Sequence, residues 1–415
     1  MPRFSPTRFP PGFFDLPADA GRDLPFAVIA AWARSDQTPE TARELLGPFT
    51  IRGFVVSSDS SGLTRLTDER SLIEILAMVS RPKELIHGYG RAIGGIPLGV
   101  WAADNTRMFY PDGVSPDRVL GMLLTLSDQI QAECEVGIGL CGHHGVFYEL
   151  GNGLYGPDAD RVEALAEDFT TSGEVAVTGE LVRTLHDPTP FKLAAREDLR
   201  ASFGEVFRVL DGPRLRGIEP GDSHYPLPFT QEFFGGLAEF QRTRRTSLVP
   251  RPAFKNVAVV VIEPEPEDQT VPEVAALNDL SIAAALKRLG RDLIQGLAAV
   301  EVKTSGGASA VSIYLFEVPG EAVDFARRLR ELLRRRDVPL RIGVDVGRVL
   351  MFELGPGSRD VAGAPVNVAS KLAQHPGTPG AIHLTTEAAR QAGITDAPAT
   401  SGVRAGGVTR DIVAL

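Results

Sequence analysis

Apolar positions follow two rhythms along the chain. Val136, Ile138 and Leu140 fall on every second residue, the spacing of a half-buried strand. Val366, Ala369 and the pair Leu372–Ala373 fall three and four apart, the spacing of one helix face. "IRGFVV", residues 51–56, is a short continuous run of strand type. Phe325, Leu329 and Leu332 stripe a stretch otherwise rich in arginine, "RRLRELLRRRD" at 327–337. That pattern predicts an amphipathic helix with a solvated basic face rather than a binding patch.

These rhythms occur twice. "LYGPDADRVEALAEDFTTSGEVAVT", Leu154 to Thr178, matches "VAGAPVNVASKLAQHPGTPGAIHLT", Val361 to Thr385, without a gap at an offset of 207. Upstream, "VGIGLCGHHGVFYELG" matches "IGVDVGRVLMFELG" with two residues more in the first copy. Each copy reads as strand, tight turn, strand, glycine-marked loop, helix, turn, strand. "GFVVSSDSSGLT" then falls against "VAVVVIEPEPED", setting Asp59 opposite Glu263. "GVWAADNTRMFY" falls against "VKTSGGASAVSIY", setting Asp104 opposite Gly307. The division expected is an irregular N-terminal arm at 1–49, a first domain at 50–212, a Pro- and Gly-rich linker at 213–250 and a second domain at 251–415. Within the linker, "TQEFFGGLAEFQRTRRTSL" predicts a short helix.

Composition narrows the function. The 415 residues carry a formal net charge of -10, which argues against a nucleic-acid partner. A small anionic ligand needs only a local positive site. Cys134 and Cys141 are too few for a disulfide framework, and no apolar run approaches a membrane span. The start, "MPRFSPTRFPPGFF", lacks a signal-peptide core, so a cytoplasmic protein is expected.

Single motifs leave alternatives open. Asp59, at the end of its strand, is a helix cap or a metal ligand. Asp104 in "AADNT" is an Asn-Asp turn or a second ligand. Lys303 by itself is an ordinary solvated strand residue, and Asp360 could cap the helix that holds Asn367. "GIGLCG", Gly137–Gly142, matches a dinucleotide fingerprint, but the repeat makes it a hairpin rather than a strand feeding a helix. The cysteines read as core and His143–His144 as a turn, since their spacing is not a known zinc pattern.

"LRIGVDVG", "DVAGAPVNVASKL", "PGTPGAIHLT" and "GFVVSSDSSGLTRLT" together resemble the catalytic domain of class III adenylyl and guanylyl cyclases. The resemblance implies an α+β fold: two ferredoxin-like cyclase-type domains forming an intramolecular pseudo-dimer. It also implies a division of labour. The first copy holds both metal positions, Asp59 and Asp104, for two Mg²⁺ or Mn²⁺ ions. Its other positions are Val100, Gly153, Asp160 and Ala164. The second copy has Glu263 and Gly307 at the metal positions, with Lys303 and Asp360 for the base, Asn367 for the ribose and Lys371 for the phosphoryl charge. Lys303 donating to adenine N1 and Asp360 accepting from N6 imply ATP over GTP. Lys371 stands where the family has Arg, and Glu135 where a catalytic first half often has Arg. The C-terminal phosphate lysine is absent, with Arg404 or Arg410 as substitutes.

The expectation is an adenylyl cyclase with one composite site, converting ATP to cyclic AMP and pyrophosphate in a single chain, with no nucleic acid and no membrane insertion. The alternative is a silent cyclase-homology module that binds a nucleotide or a regulatory protein partner.

Overall fold

Phe26, Ile29, Ala30 and Trp32 share one face of α1 (Phe26–Arg34) and are buried. Thr38 caps α2 (Pro39–Leu46), its hydroxyl accepting from the Thr41 N–H, with Pro39 at the first helical position. The arm, expected to be irregular, is therefore helical in its second half. The surrounding Pro-rich sequence hides a pattern only nine residues long. The computed structural model describes residues 5–15, 24–60, 72–98, 105–151, 153–221, 239, 242–243, 245, 254–265, 271–305, 310–355, 358–374, 380–394, 399–405 and 408–415.

The first copy runs β1 (Thr50–Ser60), α3 (Leu72–Ala92), β2 (Ile96–Pro97), β3 (Asn105–Pro111), α4 (Pro116–Glu133), β4 (Ile138–Leu150), β5 (Gly153–Tyr155), α5 (Pro157–Phe169), β6 (Val175–Thr178), α6 (Gly179–Val182), β7 (Lys192–Ala195), α7 (Arg200–Phe203) and β8 (Val206–Asp211). The second runs β9 (Phe254–Pro264), α8 (Pro272–Ile294), β10 (Ala299–Thr304), β11 (Ser312–Phe316), α9 (Pro319–Arg334), β12 (Leu340–Gly355), β13 (Ser358–Ala362), α10 (Ala364–Ala373), β14 (Ile382–Thr385), α11 (Thr386–Gln391), β15 (Ala399–Ala405) and β16 (Val408–Ala414). The two sheets have one topology. The first is ordered β2-β3-β1-β4-β6-β8-β7 and the second β10-β11-β9-β12-β14-β16-β15, with β5 and β13 added beside β4 and β12.

Both faces of each sheet are covered, which is why the central strands read as unbroken apolar runs. Phe54 and Val56 of β1 face a core with α3 and α4. Val55 faces the opposite core, with Val162, Leu165 and Ala166 of α5. In the second copy Val259 and Val261 of β9 face Val366 and Ala369 of α10. Tyr314 and Phe316 turn the other way, to Phe325 of α9.

Strand pairing corrects two sequence readings. His143 and His144 lie inside β4, so that stretch is not a turn; residues 138–142 open the same strand, which turns back into β5 as a hairpin rather than feeding a helix. Leu140 pairs with Val175, and Ile342 pairs with Ile382 at the equivalent place. Thirty-five residues separate the first pair and forty the second, so the second copy has the longer β12–β13 hairpin. The first copy is not the longer one.

The chain forms two compact units. One gathers the described residues of Phe49–Leu66 and Arg70–Pro250. The other gathers those of Arg251–Leu415 together with the arm, Met1–Pro48. Trp32, fully buried, donates from Nε1 to Asn278 Oδ1 of α8 at 3.1 Å. Covering a ring of that size contributes roughly 4–6 kcal/mol. Phe9, Phe13 and Phe14 pack on one another, with Arg336 4.9 Å over Phe9 and Arg288 4.7 Å over Phe13. Arg8 pairs with Asp337. The basic face of α9 is otherwise a solvated surface laced by Glu331 to Arg334 and Arg335. Connector residues 213–221 pack on the first unit, where Leu215 N–H donates to Thr125 Oγ1 at 2.9 Å. Of the predicted linker helix, Glu239, Arg242 and Thr243 are helical, and most of the rest lies outside the described residues.

Candidate functional site

Side-chain alternation puts the candidate residues on corresponding faces of the two sheets. Asp59 follows Val55 by four residues along β1, so it shares the α5 face. It pairs with Asn105 on one side and Gly139 on the other. Asp104 lies outside the described residues; chain order puts it next to Asn105.

The equivalent carboxylate in the second copy has a different fate. Glu263 sits opposite Arg341 on β12 and forms an ion pair with it at 3.3 Å. Gln374 Nε2 also donates to Glu263, at 3.4 Å. Burial pushes the Glu263 pKa up, opposed by Arg341, Gln374 and Lys371. In the first copy the residue opposite Asp59 is Gly139, which brings no cation. A Cβ there would lie 3.0 Å from the Thr170 methyl and carbonyl oxygen. On donor chemistry the Asp59 position fits a hard divalent cation, and the Glu263 position, already neutralised by a guanidinium, does not. Among the described residues no three His, Cys, Asp or Glu side chains gather as a metal-holding group.

Lys303 reaches the α10 face through a β-bulge. Glu301 pairs with Tyr314, yet Lys303 pairs with the next residue, Ile313. Val302 is the extra residue, and strict alternation is broken. Ile313 belongs to the core under α10, so Lys303 shares that face. Glu301 stays on the α8 side with Tyr314, whose hydroxyl donates to the Leu286 carbonyl of α8.

Gly363, with φ of 150°, opens α10 where a Cβ would meet the Arg348 carbonyl at 2.9 Å. Asn367 follows, half-buried, and exposed Lys371 lies one turn on, so the two occupy one stripe of the helix. Lys371 Nζ donates to Gln374 Oε1 at 3.3 Å. Asp360 on β13 pairs through its backbone with Phe352 on β12, and Arg404 on β15 with Thr409 on β16; the side chains of Asp360 and Arg404 lie outside the described residues. Arg410, half-buried on β16, is close enough to Asp345 to oppose the upward pKa shift that burial gives that carboxyl.

One solved structure shares the fold over most of the chain. A class III adenylyl cyclase-like ATP-binding protein from Pseudomonas aeruginosa matches 82% of this chain and 85% of its own, with a TM-score of 0.51 at 12% identity. The fold is that of class III cyclase domains. The adenylyl cyclase CyaB from P. aeruginosa covers 40% of this chain and 99% of its own at 14% identity, TM-score 0.35. A guanylate cyclase domain from Catenaria anguillulae in complex with GTP covers 39% and 98% at 14% identity, TM-score 0.34. No protein-family model matches the chain, and no curated protein matches it either.

Within this cyclase fold, sequence reading missed Arg341, Glu301 and Gln374. Arg341 had one usable signal: it follows Leu340 directly in the strand that pairs with Glu263. The zinc alternative for the histidines also has a structural outcome. His143, fully buried, meets Thr178 Oγ1 at 2.8 Å and Asp158 at 3.2 Å, while His144 meets Asp112 at 2.8 Å. The same strand position in the second copy is Asp345, which accepts from Thr385 Oγ1 at 2.6 Å. No helix among the described residues is long and apolar enough to cross a membrane.

Proposed function

We propose that the two cyclase-type domains, 50–212 and 251–415, pair within one chain and bind ATP with divalent cations at one composite site, converting it slowly to cyclic AMP and pyrophosphate. The observation that carries this reading is the shared strand order of the two sheets together with their unequal share of site residues: Asp59 stands in the first copy where the second has Glu263, which is tied to Arg341. The first copy keeps a metal position, and the second keeps Lys303, Asp360, Asn367 and Lys371. In this reading Asp59 and Asp104 hold Mg²⁺ or Mn²⁺, which would neutralise charge on the attacking and leaving oxygens. Lys303 donates to adenine N1, Asp360 accepts from N6, and Asn367 orients the ribose. Lys371 meets the charge that builds on the phosphoryl oxygens as the 3′-hydroxyl displaces pyrophosphate. Arg404 contributes positive charge toward the phosphates. A cytoplasmic location is part of the same reading.

A second reading is ATP binding without turnover, in a regulatory module with a protein partner. Lys371 favours it: exposed and bonded to Gln374, it offers an ammonium where a guanidinium would give a planar fork. The similar P. aeruginosa protein is itself described as a cyclase-like ATP-binding protein. One experiment separates the readings: purified protein with ATP and Mn²⁺, measuring both calorimetric binding and cyclic AMP. Binding with cyclic AMP, both lost in Asp59→Ala, supports the enzyme. Binding without cyclic AMP supports the module, and absence of metal-dependent binding defeats both.

A further inference from the structure

The bulge in β10 decides which way Lys303 points, and its surroundings show what holds it. In a regular strand Glu301 and Lys303 would share a face, and Glu301 and Thr304 would lie on opposite faces. Here Thr304 Oγ1 donates to Glu301 Oε1 at 3.1 Å, so residues 301 and 304 share the α8 side and bracket the turned pair Val302–Lys303. Glu301 is further pinned to α8 by Lys287 at 3.3 Å and Arg291 at 2.9 Å. Its side chain is 10% exposed and that of Lys287 is 6% exposed, so the pair is desolvated and its geometry matters. Without the bulge Lys303 would turn toward Lys287 and Arg291, against like charge.

The first copy gives an independent comparison. Ile96 pairs with Phe109 as Val300 pairs with Leu315, which sets Pro97 at the place of Glu301. By this register Leu98, whose N–H donates to the Arg107 carbonyl, stands at the place of Lys303, and Val100, expected there from sequence, lies outside the described residues; the copy without the lysine also lacks the carboxylate that holds the bulge.

We propose that Glu301 is a positioning residue for nucleobase selection, acting through the bulge that turns Lys303 onto the α10 face. The proposal rests on reading Lys303 as the residue that tells adenine from guanine. Glu301 does not touch the nucleotide; it fixes the strand from behind, so its removal alters selectivity rather than triphosphate binding.

The test is calorimetric titration of ATP and of GTP, each with Mn²⁺, into the full-length protein. Glu301→Gln keeps the side-chain volume and an acceptor for Thr304 but removes the charge that holds Lys287 and Arg291. It should lower the ATP-to-GTP affinity ratio by roughly five- to tenfold, since a displaced contact group loses much of its effect. GTP affinity should stay near the wild-type value. Lys303→Ala should bring the ratio close to one, and adding Glu301→Gln to it should change nothing more. A wild-type ratio in Glu301→Gln overturns the proposal and leaves the ATP reading standing. So does a further drop in the Lys303→Ala background. A wild-type protein with no preference refutes the base-selecting reading and the proposal together. Should Glu301→Gln fail to fold, Arg291→Gln removes the half-exposed side of the staple and must still lower the ratio; an unchanged ratio there is equally fatal.

Discussion

Gly343 is where the helix carrying Asn367 and Lys371 comes down on its sheet. A Cβ at this position would lie 1.9 Å from the Ala369 carbonyl oxygen, 2.8 Å from the Ala373 nitrogen and 2.8 Å from the Leu372 Cβ. Two of those atoms are α10 backbone and cannot rotate away, so Gly343→Ala requires the helix to retreat by roughly an ångström or more. Overpacking of this kind costs about 1–3 kcal/mol, and the backbone contacts argue for the upper end. For a domain of this size about 3 kcal/mol lowers the melting temperature by roughly 6–12 °C. The proposed cyclase chemistry should suffer more than stability does, because a shift of about 1 Å in a positioned group costs on the order of a hundredfold in rate. Cys141 holds the equivalent place in the first copy and already carries a side chain. Cys141→Ala is therefore the control: about 1 kcal/mol of stability and no direct effect on Asn367 or Lys371. Differential scanning calorimetry and cyclic AMP production from ATP with Mn²⁺ read both outcomes. A Gly343→Ala protein that melts within roughly a degree of wild type would refute the close-approach argument.

Three further outcomes are expected. Trp32→Phe keeps an aromatic ring, though a smaller one, but strands Asn278 Oδ1 without its 3.1 Å donor, and should cost at least about 1–3 kcal/mol by denaturant titration; no loss would mean that the arm is not anchored there. Asp345 is buried, with Thr385 and the Val346 N–H bonded to it, Arg410 lowering its pKa and Glu387 raising it; burial dominates, and the folded-state value lies above 3.8. The folded state thus holds that proton more tightly than the unfolded chain, so stability from this group is full below about pH 4 and falls as pH rises through the raised value. Asp345→Asn should raise the melting temperature near pH 7 and change it little near pH 4, and a lower value near pH 7 would contradict the assignment. Lys371→Arg should raise the cyclic AMP rate by roughly tenfold or more through a bidentate phosphoryl contact; an unchanged rate in an active protein would remove Lys371 from the transition state.

The repeat was legible because it is written in two scales at once: a gap-free match over α5 and α10, and glycines where both helices begin. The shared strand order follows from it. The bulge was not legible, because a single extra residue in a six-residue strand leaves an apolar pattern that still looks alternating. The docking of α1 was hidden for another reason. Its decisive contact joins Trp32 to Asn278, and no local pattern announces a pairing across 246 positions of sequence. The histidines of β4 misled because two polar side chains before a glycine look like a turn. His143 is satisfied inside the core by Thr178 and Asp158, which the sequence shows only once the strand neighbours are known.

Glu263 marks where the two copies differ most plainly, and the proposed division of one site between them turns on that difference. Its side chain is 14% exposed, so a lone carboxylate there would be costly, and Arg341 supplies the compensation at 3.3 Å. Removing one partner of such a pair costs about 3–5 kcal/mol in a well-buried case and less here, where the Arg341 side chain is 32% exposed. A cation entering at Glu263 would have to displace that guanidinium. Thr106 and Ser312 occupy equivalent strand places opposite Ser58 and Ile262, and counting two residues back reaches Asp104 in the first copy but Ala310, rather than Gly307, in the second. The first copy has the opposite deficit, with Asp160 and Ala164 where the second has Asn367 and Lys371. A glycine opposite the one carboxylate and an arginine opposite the other fit the proposed single site per chain: the guanidinium neutralises the charge at Glu263 in advance, whereas the residue opposite Asp59 on β4 brings no cation.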